Sequence, residues 1–166
     1  MVDRGPGVFR SSGEESQKYK FDELFGCSAL LLGRRTYQGL TASWPSMQGT
    51  GTYGERMNSL PKFVVSTTLS EVEWNASLLT GDLPEAVSRL KRQPGQEILI
   101  FGSGELVRSL MSLDLIDEYR LMVFPVVVGR GKCLFREGSE MKVLKLIEPR
   151  TFSSGVVVLT YRPERS

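Results

Sequence analysis

The sequence contains no histidine, only two cysteines and no long apolar run. Without histidine, Ser-His-Asp and Cys-His catalysis and nearly all ordinary zinc sites are excluded, so Asp, Glu, Lys, Tyr or Cys must carry any proton transfer. Cys27 and Cys133 are isolated thiols and read as reduced residues rather than as a disulfide framework. The longest apolar stretch, Leu121 to Val128, is broken by Pro125 and falls well short of the roughly 20 residues a membrane helix needs. The residues before Glu14 form no signal-peptide core. An excess of one charge is missing too: 21 Lys+Arg against 19 Asp+Glu leave a net +2, with no basic stripe of the kind that neutralises many phosphates. These exclusions leave a cytoplasmic protein with no nucleic acid, no membrane and no metal among its expected partners.

What is present is a chain of 166 residues, 40% hydrophobic and 24% charged, enough for one domain with its own core. Residues 1–13, rich in Gly, Pro, Ser and charge, read as an irregular lead-in, and 14–166 as a single domain. Tyr19, Phe21, Leu24 and Phe25 predict a helix over 14–25, stopped by Gly26. Ser28 to Leu32 predicts a buried strand that passes through Gly33 into a helix at 34–42, closed by Trp44-Pro45. The glycine-rich stretch 49–54 reads as a loop, a short helical piece runs through Arg56 and Met57 to Pro61, and Lys62 to Ser66 is the next strand. Asp82 caps a helix with Pro84 in its first turn and Ala86, Val87 and Leu90 facing inward.

A strand at Glu97–Phe101 then breaks at Gly102-Ser103-Gly104 into a helix with Leu106, Val107, Leu110 and Met111 on one side. After Asp117 strands follow without helices, at 118–128, about 141–148 and 155–162. Strand and helix in alternation, then hairpins, predict an α/β fold: a mostly parallel central sheet flanked by helices, with antiparallel C-terminal strands.

Two strand-to-helix junctions carry the candidate chemistry. Amides and the macrodipole at a helix N-terminus attract phosphate, and glycine lets the phosphate approach the main chain. Gly102-Ser103-Gly104 fits that role, although a tight turn explains it equally well. Arg34 and Arg35 offer guanidinium forks and Thr36 a hydroxyl, against the alternative of a solvated helix start. Ser66, Thr67 and Thr68 end a strand where they suit either the same phosphate or a plain turn.

The ordered set of these segments resembles the dihydrofolate reductase-like superfamily, especially bacterial proteins related to the reductase domain of riboflavin biosynthesis. The resemblance runs from about Lys20 to Pro163. It implies that Leu31-Leu32-Gly33-Arg34-Arg35-Thr36-Tyr37 lies beside the cofactor NADPH and that Val65-Ser66-Thr67 helps hold its 2′-phosphate. Gly102-Ser103-Gly104-Glu105-Leu106 would cradle its pyrophosphate. Leu115-Ile116-Asp117-Glu118-Tyr119 and Pro125 to Lys132 are similar to the riboflavin branch rather than to true dihydrofolate reductases. That branch implies a homodimer through the C-terminal sheet, and the superfamily places substrate-facing residues where Trp44 and Met47 stand, although large apolar side chains there equally suit a lid or the core.

The implied activity is NADPH-dependent reduction of a small heterocycle, of the 5-amino-6-(5-phosphoribosylamino)uracil reductase type. Glu15 and Asp22 are conceivable proton donors on the first helix, although helical carboxylates are more often solvated, and no catalytic residue is assigned. Members of the superfamily begin with a central strand and a Ser-Leu-Asp-Gly-like loop that contacts nicotinamide and substrate, and neither is legible before Glu14. A non-catalytic NADPH-binding domain is therefore one alternative, and a dihydrofolate or pterin reductase the other.

Overall fold

A computed structural model of the chain describes residues 13–135 and 140–164. The lead-in expected at 1–13 lies outside the described residues except for Gly13, which opens the first helix. The chain divides into two compact units, one spanning Phe21–Ser109 and the other combining Met1–Lys20 with Leu110–Ser166.

The first unit is built on a parallel sheet. Helix α1 (Gly13–Gly26) feeds strand β1 (Cys27–Gly33), which turns directly into α2 (Arg34–Thr41). After a 3-10 turn at Trp44–Ser46 come α3 (Gly51–Ser59), β2 (Lys62–Val65), β3 (Ala76–Leu79), α4 (Leu83–Lys91), β4 (Glu97–Ile100) and α5 (Gly104–Ser112). The strand order is β3-β2-β1-β4, with every neighbouring pair parallel. Ala29 to Leu32 are all buried, as expected of a strand covered on both faces, where apolar residues run continuously instead of alternating. Leu24, Cys27, Leu30, Leu32, Tyr37, Met57, Leu60 and Val64 form the core.

Asp82 caps α4 as expected, its Oδ2 accepting from the Glu85 amide at 3.3 Å, and Ala86, Val87 and Leu90 face inward. Two expectations change. The glycine loop ends at Thr50, because Gly51 to Gly54 already belong to α3. The packing of Tyr53 on Trp44 and the full burial of Met57 outweigh the poor helix propensity of glycine. Glycine at 54 also suits the close approach of the Thr50 side chain, which a Cβ there would meet. Strand β3 has no counterpart in the sequence reading.

The second unit carries an antiparallel sheet of its own. Strands β5 (Tyr119–Val123), β6 (Leu144–Thr151) and β7 (Val157–Pro163) lie in the order β5-β7-β6. Phe152, Val156 and Val158 form its core, with Tyr19, Met122 and Phe124 against them. The strand expected at 118–128 stops at Val123, because Pro125 has no amide for a ladder and fixes its own φ. The next strand begins at Leu144 rather than about 141.

Lys62, the first residue of β2, is only 1% exposed. Its ammonium donates to Leu60 O at 2.7 Å and Asn58 O at 3.2 Å, and lies 4.2 Å from the centroid of the Trp74 ring. Trp74 and Asn75 both adopt left-handed backbone, with φ of 60° and 52°. They are held there because Trp74 Nε1 donates to Asn58 Oδ1, Asn75 Nδ2 to Ser59 O, and Lys62 N to Asn75 O. Burial pushes the Lys62 pKa down to about 8, from an ordinary 10.5. Between those values the unfolded chain binds more protons than the folded one, so stability rises with pH in that window. The melting temperature of the wild type should therefore rise from about pH 8 to 9.5 relative to that of Lys62→Met, measured by calorimetry; parallel curves would show that Lys62 does not titrate there.

Candidate functional site

In an open parallel sheet, ligands gather outside the carboxyl ends of the strands. Register fixes which residues meet there. Gly33 at the end of β1 pairs with Val65 at the end of β2, and Leu31 with Ile100 at the end of β4. The central strand β1 thus brings residues 33–36 between 66–69 on one side and 101–106 on the other.

On the β4 side, Gly102 and Ser103 take consecutive left-handed conformations, with φ of 76° and 62°, and reverse the chain into α5. Ser103 is 9% exposed, and its Oγ accepts the Gly33 amide hydrogen at 2.8 Å. A side chain at position 33 would meet Ser103 Oγ at 3.3 Å and Leu106 Cβ at 3.5 Å, so glycine at 33 permits this approach. Gly104 begins α5, and the first bond returned to the turn is Val107 N to Ser103 O at 2.9 Å. The earlier amides of such a helix have no intrahelical acceptor. Leu106 points into the core, and Glu105 directs its carboxylate to Arg108 at 2.5 Å on its own helix. The Leu106 side chain thus packs beside Gly33, and the Glu105 carboxylate is engaged on its own helix.

On the β2 side, exposed Arg34 donates through Nη1 to Thr68 Oγ1 at 2.6 Å. Ser66 Oγ accepts from the amides of Thr68 at 3.2 Å and Leu69 at 3.0 Å, shaping the turn. Thr67 and Arg35 are exposed, and Thr36 is half-buried in the first turn of α2. Hydroxyls, amides and a guanidinium therefore line one edge of the sheet. Thr68, which the sequence leaves open between a phosphate ligand and a plain turn, accepts a hydrogen bond from Arg34.

The other candidates lie elsewhere. Trp44 follows the C-terminus of α2, about 12 Å of helix from its first residue, and packs on Tyr53 at a centroid distance of 5.7 Å and on the core. Met47 is 44% exposed. Nothing in the sequence singles out Glu23, a buried carboxylate on α1 beside Leu24. Burial, with Glu23 adding to it, pushes the Tyr53 hydroxyl up to about 12.

Glu15, considered above as a proton donor, accepts from the Ser153 amide at 2.7 Å and from the Ser153 hydroxyl. Those bonds hold its pKa below the ordinary 4.5, so it stands ionised at neutral pH and is unsuited to donate a proton. The Ser153 bonds favour folding above the unfolded pKa, and their contribution disappears as pH falls through the lower folded value. In acid titrations followed by circular dichroism, the wild type should lose stability more steeply below pH 4.5 than Glu15→Gln; coincident curves would remove this assignment.

Residues 5–158 match the family model of the RibD C-terminal domain. The chain belongs to the RibD C-terminal domain family. The uncharacterized protein YyaP of Bacillus subtilis (strain 168) is 34% identical over 143 residues, covering 84% of this chain and 76% of the relative. A solved Shewanella sp. PV-4 protein, named for riboflavin biosynthesis, superposes with a TM-score of 0.70 at 23% identity, covering 98% of this chain and 82% of that one. A pyrimidine reductase-like protein from Corynebacterium diphtheriae gives a TM-score of 0.64 at 14% identity, covering 95% and 84%. At these identities the two structures establish the shared fold. This RibD-type domain is thus a reductase-like domain on a dihydrofolate reductase-like scaffold.

Proposed function

We propose that this RibD-type domain binds NADPH along the carboxyl edge of the parallel sheet and reduces a small heterocycle. The observation that carries the reading is the meeting of two anion-favouring groups around Gly33: Ser103 and the start of α5 on one side, Arg34 with Thr68 on the other. A dinucleotide with a pyrophosphate and a separate 2′-phosphate has that division of charge. The residues present fit it. Ser103 Oγ accepts from Gly33 and so has its own hydrogen left to donate, Arg34 is exposed, and the Glu105 carboxylate is engaged by Arg108. NADPH, when bound, would supply the hydride; Arg34, Thr36, Ser66 and Thr67 would hold its 2′-phosphate end, and Gly102 to Leu106 its pyrophosphate through main-chain amides.

The pyrimidine reductase-like neighbour and the family support a phosphoribosylamino-pyrimidine, of the 5-amino-6-(5-phosphoribosylamino)uracil type, as substrate. Purified protein should bind NADPH in a calorimetric titration, with Arg34→Ala weakening NADPH about tenfold or more and NADH by much less. Equal affinities for the two cofactors in the wild type, or no NADPH binding, would defeat the reading. Loss of NADPH absorbance with the pyrimidine identifies that reductase, loss with dihydrofolate a pterin reductase, and binding without turnover a non-catalytic domain.

The same proposal includes a homodimer through the C-terminal sheet. Strand β6 is an edge strand exposed along nearly all its length, and Val127, 97% exposed, and Val143 and Ile147, about half exposed, present apolar side chains on the same unit. Edge strands and apolar patches of this kind are normally covered. Light scattering should give twice the chain mass, and Ile147→Lys should return it to monomer; a monomeric wild type would remove the dimer from the proposal. Among the described residues no helix is long and apolar enough to cross a membrane, and Cys27 and Cys133, neither of them in a disulfide, suit the reducing cytoplasm.

A further inference from the structure

Ser103 is a serine in left-handed backbone, φ 62°, standing between two glycines that adopt such conformations at no steric cost. Strain of this kind persists when surrounding contacts over-determine it, and here the contact is the Ser103 hydroxyl on the Gly33 amide, 70 residues away. The bond is made possible from both sides. The left-handed turn aims Oγ at β1, and the missing side chain at 33 leaves room for it. Gly33 is the residue from which α2 starts, and the next residue is Arg34, whose guanidinium reaches Thr68 across the end of β2.

We propose that Ser103 is a positioning residue for cofactor selectivity: through the Gly33 amide it fixes the start of α2, and so sets Arg34 for the 2′-phosphate on the opposite side of β1. This rests on the NADPH reading above and adds to it. If Ser103 acted only where the resemblance places it, at the pyrophosphate, its loss would weaken NADPH and NADH alike, because both carry that group. Acting through Gly33 and Arg34, its loss weakens NADPH more than NADH, since the 2′-phosphate alone distinguishes them.

The test uses Ser103→Gly, which keeps the left-handed turn without strain, and Ser103→Ala, which keeps the strain without the hydroxyl. Two quantities are read: amide hydrogen exchange of Gly33 in the free protein, and affinities for NADPH and NADH. We expect Gly33 exchange about tenfold faster or more in both variants, and the NADPH-to-NADH preference to fall severalfold, consistent with loss of a single hydrogen bond to a charge-binding element. Unchanged Gly33 exchange overturns the lock, whatever the cofactor result. Equal weakening of both cofactors, or a more stable Ser103→Gly with unaltered preference, overturns the positioning role. A wild type that binds no NADPH defeats the cofactor reading and the selectivity role with it, while Gly33 exchange still decides whether the lock exists.

Discussion

Burial of β1 on both faces is the constraint on which the candidate site depends. Ala29 to Leu32 cannot be exposed without losing apolar burial from two layers at once, on the order of 1.5–3 kcal/mol for each large side chain. The strand is therefore held centrally between β2 and β4, and its last residue must emerge between their ends. Slipping the pairing by one residue would move Gly33 away from Ser103 and Arg34 away from Thr68 together. The site inherits its geometry from the core.

Much of this scaffold is legible in the sequence because its signals are local. A continuous apolar run ending on Gly33 marks β1, and Asp82 with Pro84 marks the start of α4. Three features resisted reading because tertiary contacts decide them. Four-residue β3 has too few residues to show a period, α3 begins inside a glycine stretch because Tyr53 and Met57 pack, and the apolar run after Val123 continues past the strand that Pro125 ends. Pattern alone does not distinguish an apolar run that is exposed from one that is buried.

The candidate site divides in the same way. Glycines at a strand end and an arginine after Gly33 are visible in one dimension, and their resemblance to a known family supplies the expected roles. That Ser103 reaches the Gly33 amide and that Arg34 selects Thr68 are contacts between segments 70 and 34 residues apart, which no local sequence period reveals. Glu15 shows the converse difficulty. A carboxylate on a helix suggests a proton donor, but two hydrogen bonds from Ser153 make it an ionised acceptor.

The two edges of the parallel sheet use their cations in opposite ways. At the amino edge, Arg56 donates to Cys27 O at 2.6 Å and Lys62 to Leu60 O at 2.7 Å. Main-chain carbonyls at the junctions leading into β1 and β2 claim both charges, as buried acceptors demand partners. At the carboxyl edge the strands run into helix N-termini, where the main chain offers donors and needs none. Among the described residues the partner of Arg34 is a hydroxyl, Thr68 Oγ1, which accepts one hydrogen from the guanidinium fork. The direction of the strands in a parallel sheet thus decides at which edge cations are claimed by main-chain carbonyls and at which edge they are not.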